Sequence, residues 1–297
     1  MNKQPKKIAT PLSRKATLVS VNVSQWTARR LDRKVTDEVN RAHNATKDAG
    51  RYNKLLIEAE HLKEVNQLVS SIRQLHYSMT RPWCDEGPRI LPNVLYSKFT
   101  DALRVLKRDY ETAADKFCRA YPDYVETRAK QLNGLFNATD YPSAAEIRSK
   151  FRIELKVLPF PDAEDFRADL DDDTVADIKR EITEMSEKVI DDAMKHTANQ
   201  IIELVGHMAE KLKEYGTAKK GERKFFMDSL VDNVRELVEL LPAFNLTNNP
   251  KLDQIARRMA KELCAEDAQA LRENEAARKA VAKSADEIVA EVGKFFA

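Results

Sequence analysis

A chain of 297 residues with 42% hydrophobic and 33% charged side chains can bury a core as one large domain or two ordinary ones, and a net charge of +2 excludes a polycation or polyanion. Only 7 residues are glycine, and abundant Ala, Glu, Lys and Leu favour helix. No apolar run approaches the roughly 18 residues of a membrane helix, and three well-separated cysteines (Cys84, Cys118, Cys264) fit a reducing cytoplasm better than a disulfide framework.

Residues 1–16 are polar and carry Lys3, Lys6, Lys7, Arg14 and Lys15; they read as a flexible basic tail, with no apolar stretch of a signal peptide behind them. Residues 17–23 alternate apolar and polar with β-branched side chains and predict a strand. A helix capped by Ser24 should carry Leu31, Val35 and Val39. A second helix should span Tyr52 to Met79, followed by a Pro- and Gly-bearing loop from Arg81 to Pro88. The stripe Leu95, Phe99, Ala102, Leu106, Tyr110, Ala113, Phe117 predicts a helix from Pro92 to Tyr121, with Pro122 starting a shorter one to about Phe136. Ser143 and Glu146 have the spacing of a capping box, and strict alternation over residues 151–157 predicts a second strand, expected to pair with the first.

The longest signal runs from Asp171 to Tyr215. Apolar or small side chains recur at Val175, Ile178, Ile182, Met185, Val189, Ala193, Thr197, Ile201, Leu204, Met208, Leu212 and Tyr215. Their mean spacing of about 3.6 is that of a straight α-helix about 60 Å long. A helix over Phe225 to Leu241, stopped by Pro242, should return along it. Further stripes at Leu252, Ile255, Met259, Leu263 and at Val281, Ala285, Ile288, Val292, Phe295 complete the chain. The expected fold is mainly α, an elongated multi-helix bundle with one small two-stranded antiparallel sheet. The domains follow as a tail over 1–16, a helical domain with two short strands over 17–170, and a long-helix bundle over 171–297.

Chemistry-bearing motifs fail on spacing. Asp169, Asp171 and Asp173 resemble the start of a calcium loop, but Thr174 and Arg180 stand where its Gly and Glu belong. The acidic run reads instead as helix-start chemistry. Asp123 with Glu154 and Lys156 has the outline of a metal-dependent nuclease, but Asp123 falls in a helix rather than at a strand end. His196 and His207 are three helical turns apart, too far to share an ion. No catalytic residue, metal or cofactor is expected. Charge is the informative feature: residues 1–60 hold 13 basic against 6 acidic groups, a local +7, and residues 161–193 hold 4 against 13, a local −9. The candidate contact residues for an acidic partner or nucleic acid are Lys6, Lys7, Arg14, Lys15, Trp26, Arg29, Arg30 and Arg33. Because Asp32, Asp37 and Glu38 interrupt that basic stretch, contact with acidic residues 162–177 of a neighbouring copy is favoured over nucleic acid.

The segments Val21-Asn22-Val23-Ser24-Gln25-Trp26-Thr27-Ala28-Arg29-Arg30-Leu31-Asp32 and Asp48-Ala49-Gly50-Arg51-Tyr52-Asn53-Lys54-Leu55-Leu56 resemble a family of unknown function from phages and from prophage-like or plasmid regions of proteobacteria. Asp140-Tyr141-Pro142 and Phe160-Pro161 look similar to it as well. That resemblance carries no catalytic residue. It implies a helical adaptor near MoxR-type AAA ATPases and von Willebrand factor A proteins, as part of an ATPase-driven remodelling module. The expected protein is therefore a non-enzymatic, cytoplasmic interaction protein, oligomeric or bound to such an ATPase, and not membrane-bound. The alternative is a nucleic-acid-binding accessory of phage replication or recombination.

Overall fold

The computed structural model describes residues 12–84, 87–216 and 226–296. Helix accounts for 69% of the chain, so the mainly α expectation holds. The strands exceed it. β1 (Ala16–Ser24), β4 (Arg81–Pro82), β5 (Arg89–Pro92) and β6 (Arg152–Pro159) form a four-stranded sheet in the order β4-β5-β1-β6. β2 (Arg29–Leu31) and β3 (Asn53–Leu55) form a separate antiparallel pair. The two expected strands are neighbours, as the alternation suggested. The expected Arg81–Pro88 loop opens on a strand instead, β4, which pairs antiparallel with β5: Arg81 stands opposite Ile90 and Pro82 opposite Arg89. A two-residue strand is too short to show a period, so only its pairing identifies it.

The helices are α1 (Arg33–Ala42), α2 (Lys63–Met79), α3 (Tyr96–Leu132), α4 (Ala144–Arg148), α5 (Asp172–Gly216), α6 (Ser229–Phe244), α7 (Pro250–Glu262), α8 (Ala268–Glu273) and α9 (Glu275–Phe296). They fall into two compact units that interleave along the chain instead of following an expected boundary at residue 170. One holds the described residues up to Val19, Met79–Tyr96 and those from Val157 onward; the other holds Ser20–Ser78 and Ser97–Lys156.

The first unit is built on α5. Its buried residues Ala193, Met194, Thr197, Ala198, Ile201, Val205, Met208, Ala209 and Leu212 repeat at helical spacing, and α9 is its most extensive partner. Val281, Ala282, Ala285, Ile288 and Val292 form the matching stripe on α9. Small residues on both stripes let the helix axes approach closely. Leu252, Ile255 and Met259 of α7, Leu263 at its C-terminal cap and the α6 stripe close the core as expected, whereas Phe295 is exposed. Ser13, Lys15 and Ala16 are tied to this unit and do not form a tail. Ser13 Oγ donates to Asp162 Oδ2 at 2.7 Å, Lys15 Nζ donates to the Leu246 carbonyl at 3.2 Å, and Ala16 is buried.

The second unit packs α2, α3 and α4 around an aromatic core. Trp26 meets Tyr121 edge-on at 5.6 Å and lies 6.1 Å from Phe117, which in turn meets Phe151 at 6.0 Å. This packing accounts for Pro122, which lies inside the 37-residue α3 rather than ending it. A helix-interior proline costs about 3 kcal/mol. Pro122 is exposed, while Tyr121 and Phe117 bury their rings on the opposite side and Tyr124 stacks on His61 at 3.8 Å. Anchors on both sides of the proline outweigh the lost hydrogen bond. Pro242 likewise sits inside α6, close to its end.

Candidate functional site

The expected basic residues divide between the two units, Arg14 and Lys15 in the first and Trp26, Arg29, Arg30 and Arg33 in the second. Lys6 and Lys7 lie outside the described residues. Arg14 is exposed in a 3-10 turn, and its carbonyl accepts from Asn93 Nδ2 at 3.2 Å. Lys15 is tied to Leu246. Trp26 is only 7% exposed, a core residue of the second unit and not an aromatic contact on its surface. Nor does Ser24 start a helix: β1 runs through Ser24, Ala28 turns the chain with φ of 53°, and β2 follows. Arg29 and Arg33 are exposed. α1 starts only at Arg33, capped by Asp32, whose carboxylate accepts from Val35 N.

Arg30 has a structural partner instead. The β2–β3 register sets Arg30 directly opposite Lys54. Opposed cations on a strand pair repel. Asp140 resolves the conflict with one oxygen for each: Arg30 Nε to Oδ1 at 3.0 Å and Lys54 Nζ to Oδ2 at 2.6 Å. Lys54, 3% exposed, also donates to Asp32 Oδ2 at 3.2 Å and to the Leu135 carbonyl at 2.8 Å. Burial works to lower its pKa, but hydrogen bonds and charge from Asp140 and Asp32 outweigh it and hold the ammonium above its ordinary value. A lysine protonated this firmly is not poised as a base or nucleophile. The Asp32 carboxyl is held low by the Val35 amide, against burial, and further by Lys54. Tyr141 Oη adds a hydrogen bond to the Leu56 carbonyl at 3.1 Å. Residues from the separate segments 21–32, 48–56 and 140–142 thus meet here. The sequence gives no sign of it, because Asp140 stands far along the chain from Arg30 and Lys54.

A second buried cation also escapes sequence reading. Arg81 is 1% exposed, and no carboxylate among the described residues pairs with it. Its guanidinium donates to Thr197 Oγ1 at 2.9 Å, the Thr80 carbonyl at 2.9 Å and Gln200 Oε1 at 2.8 Å, and stacks over Phe244 at 3.3 Å. Burial, and then the charge of Arg89, pull its pKa down. It fastens β4 to α5 and α6 within the first unit.

Among the described residues, the first part of α5 is the least covered feature. Asp171 caps it, accepting from Thr174 N at 2.9 Å and Thr174 Oγ1 at 2.6 Å; these bonds lower the Asp171 pKa and bear out the helix-start reading. Val175, Ile178, Ile182, Met185 and Val189 continue the helical stripe, yet no residue from 161 to 189 is buried. Met185 is 43% and Leu170 51% exposed. Burial begins abruptly at Ile190. The uncovered turns carry acidic groups at Asp172, Asp173, Asp177, Glu181, Glu184 and Glu187.

Among the described residues no group of His, Cys, Asp or Glu could hold a metal ion, and no helix is long and apolar enough to cross a membrane. Glu154 and Lys156 are exposed on β6, and Asp123 lies inside α3. Comparison with protein-family models, curated proteins and solved structures finds no match.

Proposed function

We propose that this is a non-enzymatic interaction protein whose principal contact surface is the first part of α5, residues 172–189. One observation carries the reading: about five helical turns present an apolar stripe that the described residues leave unburied, while the same stripe further along is packed. Acidic side chains flank the stripe, so the fitting partner is a protein helix with an apolar face edged by Lys and Arg. A second copy fits less well. The basic groups offered by α1, Arg33, Lys34 and Arg41, alternate with Asp37 and Glu38. The nucleic-acid reading weakens with Trp26 in the core and Arg30 paired to Asp140. The resemblance of the segments around Arg30, Lys54 and Asp140 supports a MoxR-type ATPase as the partner.

A photo-reactive residue at Met185 tests the surface in cells. The expected result is a cross-link to one polypeptide through a segment with helically spaced apolar and basic residues. Ile178→Ser with Ile182→Ser should remove that cross-link, and high salt should weaken it. A cross-link to another copy of the chain, or one indifferent to both changes, would overturn the reading.

A further inference from the structure

We propose that the second unit carries a separate docking groove, between the open edge of β1 and helix α2, which binds an extended acidic peptide by adding it as a strand. The register defines the edge. β5 pairs with β1 only from Ala16 opposite Pro92 to Val19 opposite Arg89. β1 continues to Ser24 beside β6, its other neighbour, so its β5-side edge has no strand partner from Ser20 onward among the described residues. Asn93 N donates to the Lys15 carbonyl at 2.7 Å, which makes residues 15 and 93 a hydrogen-bonded pair. Pairing alternates along an antiparallel ladder, so the odd-numbered residues of β1 turn their N–H and C=O toward this edge. Val21 and Val23 therefore offer two donors and two acceptors there.

A cleft of about 360 Å³ lies along that stretch, within the range of ligand pockets, lined by Val21, Asn22, Val23 and Ser24 and, across from them, by α2 residues. Four consecutive strand residues line it although their side chains point to alternate faces, so the cleft follows the main chain of β1, as a cleft along the strand edge does. The opposite wall is one face of α2, at Ile72, Arg73, His76 and Tyr77. A strand edge facing a helix is the geometry of strand-addition peptide sites, where main-chain bonds give affinity and the wall gives selectivity. Exposed Arg73 and the imidazole of His76 are the ionisable groups in the lining besides the Tyr77 phenol, and there is no carboxylate. The occupant is therefore a partner's extended segment with a carboxylate aligned to Arg73.

The test is a displayed library of seven-residue peptides panned against the full chain, with selected peptides titrated by backbone-amide NMR. The groove predicts acidic, β-branched sequences that shift the amides of Val21, Val23, Arg73 and Tyr77. Val23→Pro should weaken binding at least tenfold by removing an outward N–H, and circular dichroism checks that this variant folds. Arg73→Glu, on the helix surface, should weaken binding tenfold without touching the strand. Selected peptides that shift other amides, binding unchanged in both variants, or a library yielding no binders would overturn the proposal. So would a concentration-dependent dimer abolished by Val23→Pro, which would make a second copy the occupant.

Discussion

The two parts of α5 share a helix and a period, and differ in charge and in what lies against them. From Ile190 to Leu212 the stripe is packed by α9, α6 and the β4 arm, and even Thr197 is buried with its hydroxyl engaged by Arg81. From Val175 to Val189 an equally regular stripe is partly exposed along its whole length. Periodicity thus records which face of a helix is apolar and not whether this chain covers it. In the function proposed above, the stripe that runs past this core is the part a partner covers.

Truncation along the stripe should expose this difference as a step. Ile201→Ala, in the packed half, should cost about 2–5 kcal/mol of unfolding free energy by urea titration, for lost burial plus a cavity. Thr197→Val should cost about 1–3 kcal/mol, because it leaves the buried Arg81 Nε–H without its acceptor. Asp171→Ala should cost about 1 kcal/mol as the loss of a helix cap, felt locally in the uncovered turns. Ile182→Ala should stay within about 0.5 kcal/mol in the isolated protein, as a surface change. A large cost at Ile182 would mean that its stripe is already packed, and the contrast would fail.

A control from the second unit, where the aromatic residues are covered, sharpens the comparison through pH. Burial pushes the Tyr110 and Tyr121 phenols up to about 12. A pKa raised on folding gives stability that is full below pH 10 and lost as pH rises through 12. Tyr121→Phe should flatten that alkaline loss at almost no cost at neutral pH, since Tyr121 Oη is buried without a hydrogen-bond partner among the described residues. Tyr110→Phe should flatten it too, but at about 1 kcal/mol, since it forfeits the bond to the Ser24 carbonyl at 2.7 Å. Unfolding followed at pH 8 and pH 11.5 separates the two.

Long periodic signals were legible in the sequence, and short or distant ones were not. The expected Asp171–Tyr215 helix is Asp172–Gly216, and the Ser143–Glu146 capping box forms as its spacing implies. β2 and β3 were hidden because three-residue strands exist only through their pairing, and the β-region before α1 follows from the turn at Ala28. Local propensity makes Pro122 a helix start and Pro242 a stop, yet both lie inside helices, and tertiary packing overrules propensity at Pro122. The arginines that follow Trp26 suggest a surface contact, yet its ring packs on Phe117 and Tyr121 of α3. The Arg30–Asp140–Lys54 network needs a long-range closure that no local pattern announces.

Amide hydrogen exchange along α5 tests the central claim most directly. In the isolated protein, amides of residues 175–189 should exchange through local opening, far faster than those of 193–212, with the break at Ile190. Adding the polypeptide captured from Met185 should raise protection in the first stretch alone. Uniform protection along the isolated helix, or protection by the partner that falls elsewhere, would contradict the account.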